Sequence, residues 1–363
     1  MKIIKWCLTV GKPASLGHRL VRISAWFIST ALYFSPVIGQ LKVATNHDTS
    51  YYETYYEDLI ARFYFSRKYT SLELKKDSDV PDIKYRPNIN LNAGIGFTYR
   101  TLSLNVAYGF PFLNNDDEKG KTKHLDLQTR VYTRKWAIDL YGQFYKEFYI
   151  KQQGRDLTGS QRYYIRPDLK ISLGGISAYR LFNYKRFSLR QAFVQDEWQK
   201  KSAGSILAGA EVHYGLIKAD STLVPGELDS YYHQGGITKS RIIEIGPGAG
   251  YAYTQVLPFR LFLTGSFIMN VNVSLVQENG GNKTDRFGLN ADMLYRFAAG
   301  YNDGNWNINF FRVSNLVSAK GARAGIRYVL DTGIYRVTVS KRLHPGVKAG
   351  KLLKPIDRIM GSR

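Results

Sequence analysis

The chain has 363 residues, 44% hydrophobic and 22% charged, ample for a substantial folded body, and a mean hydropathy of -0.29 excludes a helical membrane protein. A formal net charge of +22 calls for an anionic partner, either nucleic acid or an anionic membrane surface. The single cysteine, Cys7, excludes a disulfide framework and a thiolate metal site.

The first 39 residues read as a secretory signal peptide. Lys2, Lys5, Lys12, Arg19 and Arg22 precede an apolar run from Ile23 to Phe34, and small residues close the segment near Gly39. That run is shorter than the ~18 residues of a spanning helix, although a retained signal anchor is the alternative. Residues 40–57 are polar and tyrosine-rich and read as a periplasmic lead-in.

The body, residues 58–343, alternates with a period of two. Leu59, Ala61, Phe63 and Phe65 share one parity, and Leu72 and Leu74 shift to the other, which predicts a bulge or turn near Ser66 to Lys68. Ile89 to Tyr99 and Leu102 to Phe112 form two alternating runs joined at Arg100-Thr101, a tight hairpin. Each run is about a dozen residues, close to what a tilted strand needs to cross a bilayer. The form repeats at Leu125–Val131 and Trp136–Phe144. Leu169, Ile171 and Leu173 then form an apolar face opposite Asp168 and Lys170, and a turn at Asn183-Tyr184 leads to a strand through Phe187, Leu189 and Phe193. Further strands follow at Ile206–Leu216, Ile243–Tyr253, Phe259–Val273, Phe287–Phe297, Trp306–Phe310, Ala322–Leu330 and Tyr335–Val339.

This is an all-β chain, an antiparallel transmembrane β-barrel of about 14 strands (12 if two weak segments merge), in the bacterial outer membrane. Aromatics at strand ends, such as Tyr99, Trp136, Tyr253 and Trp306, fit interfacial girdles. A soluble sandwich would have shorter strands and fewer glycines and asparagines on its polar face. Long polar loops alternate with tight turns until the connection from Ala219 to Lys239, which falls on the turn side if Lys200 to Ala203 is an outer turn. Residues 344–363 form a basic tail.

The polar strand faces collect charge that would line a lumen. The basic members are Arg130, Arg166, Lys170, Arg190, Arg286, Arg296, Arg323, Arg327 and Arg336; the acidic ones are Asp126, Asp139, Asp168, Glu211, Glu244 and Asp292. They form either a lumen closed by ion pairs or a basic channel for small anionic solutes. His213 and Glu211, at i and i+2, could act as a base and its orienting group, but both point into the lumen, away from a lipid substrate. No metal-binding or phosphate-cradling motif is present, so neither a metal nor a cofactor is expected. Nor does any recognised nucleic-acid module appear. The expected partners are outer-membrane lipid and lipopolysaccharide, with a small anionic solute if the lumen is open.

Tyr51–Leu74, Tyr85–Phe110 and Gly246–Leu257 resemble a family of outer-membrane barrels from Bacteroidota classed as a domain of unknown function. The resemblance covers most of the mature chain. It implies an outer-membrane location and brings no catalytic residues. Where such barrels often end on a terminal aromatic, this chain runs on from Leu343 into the basic tail. A porin-like or structural, non-enzymatic role is the leading expectation. A lipid-modifying enzyme, or a closed barrel that binds lipopolysaccharide or a partner protein, is the alternative.

Overall fold

The computed structural model describes residues 47–76, 82–100, 102–110, 116–151, 163–226, 235–280, 282–322 and 326–346. The signal peptide, Arg323 and the basic tail beyond Gly346 lie outside the described residues. The strands are β1 (Tyr52–Thr54), β2 (Leu59–Lys76), β3 (Ile83–Arg86), β4 (Asn92–Tyr99), β5 (Leu102–Gly109), β6 (Lys123–Tyr132), β7 (Trp136–Lys151) and β8 (Tyr163–Leu181). They continue with β9 (Glu197–Gln199), β10 (Ala203–Lys218), β11 (Lys239–Val256), β12 (Leu261–Gly280), β13 (Asn282–Asn302), β14 (Trp306–Lys320) and β15 (Ile326–Leu343).

All pairings are antiparallel, and β15 pairs with β2 along its whole length, so the sheet closes on itself. Ten strands form the closed ring, with short β3 bridging β2 to β7. The β4–β5 hairpin extends the lower half of β2, and β6 extends β7. β1 and β9 pair separately. The ring is smaller than the roughly 14 strands expected because β4, β5 and β6 lie outside it, the segment around Phe187 is not a strand, and β2 and β15, which the sequence splits, are each continuous.

The splits have one cause. β2 keeps its parity from Ile60 to Leu74, with even residues inward throughout. Phe63 and Phe65 face outward, whereas Leu72 and Leu74 are fully buried inside. β15 does the same, with Tyr328 and Leu330 inward and Tyr335 and Val337 outward. On β8 the expectation is reversed: Leu169, Ile171 and Leu173 point inward. Near this end the interior is itself apolar, so the hydrophobic residues change faces while the backbone runs straight on.

The segment around Phe187 is not a strand. It lies in a 21-residue connection, 182–202, carrying one helical turn, α1 (Arg190–Phe193), whose Ala192 and Phe193 are buried. Removing that strand restores the alternation of loops. The turns at 100–101, 133–135, 257–260 and 303–305 fall at one end, the turn end, together with connection 182–202. The connection 219–238 falls at the other, the loop end, beside those that follow β5 and β7.

The interior is layered. At the loop end, Leu72, Leu74, Leu169, Ile171 and Ile217 pack with Leu223 and Val224 of the folded-in connection. At the turn end, Leu181, Leu207, Phe262 and Phe311 pack with Phe187, Leu189 and Phe193. Each such side chain contributes about 1.5–3 kcal/mol on burial. Between the two layers lies a buried polar stratum of Glu211, His213, Glu244, Asn270, Asn272, Asn290 and Asp292.

The outer wall is the reverse of a soluble surface. Ile206, Val212, Ile245, Val271, Val273, Leu289 and Phe297 are all exposed. On β10 the outward set from Ile206 to Leu216 spans about 26 Å along the barrel axis at a tilt of ~40°, matching the ~25 Å apolar band of a membrane barrel. No described helix is long and apolar enough to cross a membrane. A closed sheet leaves no unpaired edge in hydrocarbon over most of its circumference. This wall is that of an outer-membrane β-barrel.

Candidate functional site

The structure separates the charged residues singled out from the sequence. Arg130, Asp139 and Arg296 form one interior group: Arg296 pairs with Asp139 and stacks its guanidinium over the Tyr132 ring, and Arg130 Nε is 3.4 Å from Asp139. Asp126 accepts from Gln143 (2.8 Å) and Tyr145 and lies 3.6 Å from Lys68 Nζ. Arg166 donates to Asp168 through Nε (2.9 Å) and to Ser221 Oγ (2.8 Å), tying the folded-in connection to β8. Arg336 lies over the Tyr64 ring at 4.0 Å, and Arg286 donates to the Gly321 carbonyl.

Three of the residues expected to line a lumen from a strand do not. Arg190 sits on α1 rather than on a strand, paired with Asp196 and Glu197. Lys170 and Arg327 point outward, because the inward positions beside them belong to Leu169, Ile171 and Tyr328.

The polar stratum gathers Glu211, Glu244 and Asp292 from β10, β11 and β13. His213 Nε2 is 3.1 Å from Glu211 Oε2, and its Nδ1 is 2.7 Å from the Tyr141 hydroxyl. Asn272 Nδ2 donates to both Glu211 Oε1 (2.8 Å) and Asp292 Oδ2 (2.6 Å). Asn290 Nδ2 donates to Glu244 Oε1 (2.6 Å). Pairing of β13 with β14 stops at Met293, and beyond it the freed Ser318 N–H donates to Asp292 Oδ1 (2.7 Å). The glycines of the run GPGAG explain themselves here: a Cβ on Gly246 or Gly248 would occupy the space of the Asn272 or Asn270 side chain. Beside this layer, a cavity of about 30 Å³ lined by Arg130, Asp139, Tyr141 and Asn315 has room for about one water.

The outer wall holds an arrangement absent from the sequence reading. Lys123, Lys146, Lys170, Lys218 and Lys239 are direct cross-strand partners on five successive strands, β6, β7, β8, β10 and β11. Lys146, Lys170, Lys218 and Lys239 face outward, since their chain neighbours Tyr145, Ile171, Ile217 and Ser240 are buried inside, and Lys123 shares the parity of the exposed Leu125 and Leu127. The row ends β6, β10 and β11 at the loop end and crosses β7 and β8 five to seven residues inside theirs, with Leu125, Phe144, Tyr214 and Ile243 exposed on the same faces toward the turn end. None of the five makes an ion pair among the described residues. Like charges directly opposite one another repel, by roughly 0.2–1 kcal/mol per pair. The only sequence signal is a lysine on the apolar parity of each strand, visible once register is known.

At the turn end, Asp303 accepts from Tyr301 Oη and from the N–H groups of Asn305 and Trp306, each at 2.7 Å, and faces Arg260. Burial by itself would raise this carboxyl, but the three hydrogen bonds bring it down to about 2.

Among solved structures, the chain is similar to the outer membrane protease OmpT from Escherichia coli at 8% identity, covering 80% of this chain and 98% of that one, with a TM-score of 0.38. It is also similar to the outer membrane protein OprG from Pseudomonas aeruginosa at 11% identity, covering 80% and 98%, with a TM-score of 0.20. No curated protein matches the chain. A family model matches residues 46–329, and the chain, an outer-membrane β-barrel, belongs to that family, the domain of unknown function DUF4421.

Proposed function

We propose that the protein is a non-conducting, non-enzymatic barrel that binds a phosphorylated glycolipid of the lipopolysaccharide type on its outer wall. The observation that carries this reading is the in-register row of five outward lysines. Four interstrand spacings make the row about 19 Å long, longer than one phosphate and suited to a headgroup with several. The apolar faces below it receive acyl chains. Tight turns face the periplasm and long loops the exterior in barrels of this class, so the row belongs in the outer leaflet, where such glycolipids reside. An anion along the row relieves the repulsion that five adjacent ammonium groups otherwise cost.

Two apolar layers across the interior favour a closed barrel over a pore for anionic solutes. The arginines proposed for that pore lend it little: Arg327 faces outward and Arg296 is paired. His213, 2% exposed inside the wall, is out of reach of a lipid acyl group, which weighs against a lipid-modifying enzyme.

The test is purification from outer membranes at low and high salt, with phosphate and fatty-acid analysis, and planar-bilayer recording of the same sample. Salt-sensitive glycolipid on a silent bilayer is expected. Steady anion-selective conductance from a lipid-free sample would overturn the reading.

A further inference from the structure

The polar stratum poses a problem of charge. Glu211, Glu244 and Asp292 are at most 1% exposed, and among the described residues no lysine or arginine pairs with any of them. Among the described residues His213 is the one basic group that contacts them. Buried carboxylates are neutralised by a proton, a cationic side chain or a metal ion.

Two observations choose among these. Ligand atoms of Glu211, His213 and Asp292 already lie within 4.8 Å of one another. A tetrahedral ion with bonds of about 2.1 Å needs its ligands about 3.4 Å apart, so small side-chain rotations suffice. Second, His213 Nε2 and Glu244 Oε2 are buried without a hydrogen-bond partner. The Nε2 atom is 3.1 Å from Glu211 Oε2, within ion-pair distance but outside hydrogen-bond geometry. Glu244 lies beside Asp292, and no basic side chain among the described residues stands between the two carboxyls. A proton shared by Glu244 and Asp292 would answer that pair alone and would not draw Glu211 and His213 into the same group.

We infer that this stratum binds one divalent transition-metal ion, of the zinc or manganese type, through Glu211, His213 and Asp292, with Glu244 offering a further oxygen. The imidazole selects against calcium and magnesium, which favour all-oxygen sites. The surroundings fit a metal's supporting shell. Tyr141 hydrogen-bonds the other ring nitrogen of His213, orienting the ring, and Asn272 holds Glu211 and Asp292 together with one amide. Apolar layers seal both ends, so the ion enters as the barrel folds and leaves slowly. The inference is independent of the lipid reading.

The test is refolding of the full chain in detergent with Zn²⁺, Mn²⁺, Ca²⁺ or chelator, followed by desalting, elemental analysis and thermal melting. One Zn²⁺ or Mn²⁺ per chain and a higher melting midpoint than the chelated protein are expected. Asp292→Asn and His213→Gln lose the metal and the shift. Tyr141→Phe, a change in a positioning residue, weakens retention about 10–100-fold. Wild-type protein that carries no Zn²⁺ or Mn²⁺, or carries only Ca²⁺, overturns the inference; so does retention that Asp292→Asn and His213→Gln leave unchanged.

Discussion

The same wall carries two groups of like charge, and they stand in opposite circumstances. Lys123, Lys146, Lys170, Lys218 and Lys239 lie side by side on its outer face, and Glu211, Glu244 and Asp292 converge behind it. Outside, a headgroup region can screen or neutralise the lysines, so the row is tolerable empty and useful filled. Inside, no solvent reaches the carboxylates, and the group is costly until a proton or a cation neutralises it. The contrast teaches that register builds both: each needs residues far apart in sequence placed level across antiparallel strands.

The largest effect separates paired from unpaired interior charge. Arg296→Met removes a partner of Asp139 and is expected to cost about 3 kcal/mol, read as a fall in the denaturant midpoint in detergent. Glu244→Gln in the same interior has the opposite sign. In chelated protein it removes one of three clustered carboxylates and is expected to stabilise by about 1–2 kcal/mol. If both variants are destabilised alike, the stratum is not the uncompensated charge described here.

Lys170→Glu tests the outer row, since Lys170 has Lys146 on one side and Lys218 on the other. In neutral detergent it is expected to stabilise by about 0.5–1 kcal/mol through relieved repulsion. Toward phosphorylated glycolipid it reverses one charge and is expected to weaken binding by about 2 kcal/mol, roughly 30-fold. Opposite signs in the two measurements are the signature; a loss in both would mean that Lys170 serves packing alone.

The smallest effect lies at the turn end. Asp303→Asn exchanges charged for neutral hydrogen bonds and is expected to cost about 1 kcal/mol at neutral pH. The folded carboxyl, at about 2, lies below its unfolded value, so its contribution is present above about pH 4 and is lost as pH falls toward 2. Acid titration of stability should therefore be flatter in the variant over that window.

How much of this the sequence discloses depends on which face a residue occupies. Lipid demands an apolar side chain at nearly every outward position, so Ile206 to Leu216 and Leu261 to Val273 read cleanly as membrane-facing strands. The interior makes no such uniform demand. Leu72, Leu169 and Leu330 flip the pattern because they fill an apolar layer, and Phe187 mimics a strand while packing inside a connection. The pairing of His213 with Glu211 is legible as i and i+2 on one strand. Asp292 joins them only through a register set across three intervening strand pairs, which no local pattern encodes. The lysine row is hidden for the same reason: each lysine alone is an ordinary polar residue in or at the end of a strand.

The most direct measurement is native mass spectrometry of glycolipid retention, comparing wild type with the variant carrying Lys146→Gln, Lys170→Gln and Lys218→Gln at low ionic strength. The account predicts bound bisphosphorylated glycolipid on the wild type and its loss from the folded triple variant. Equal retention by the two proteins would contradict it.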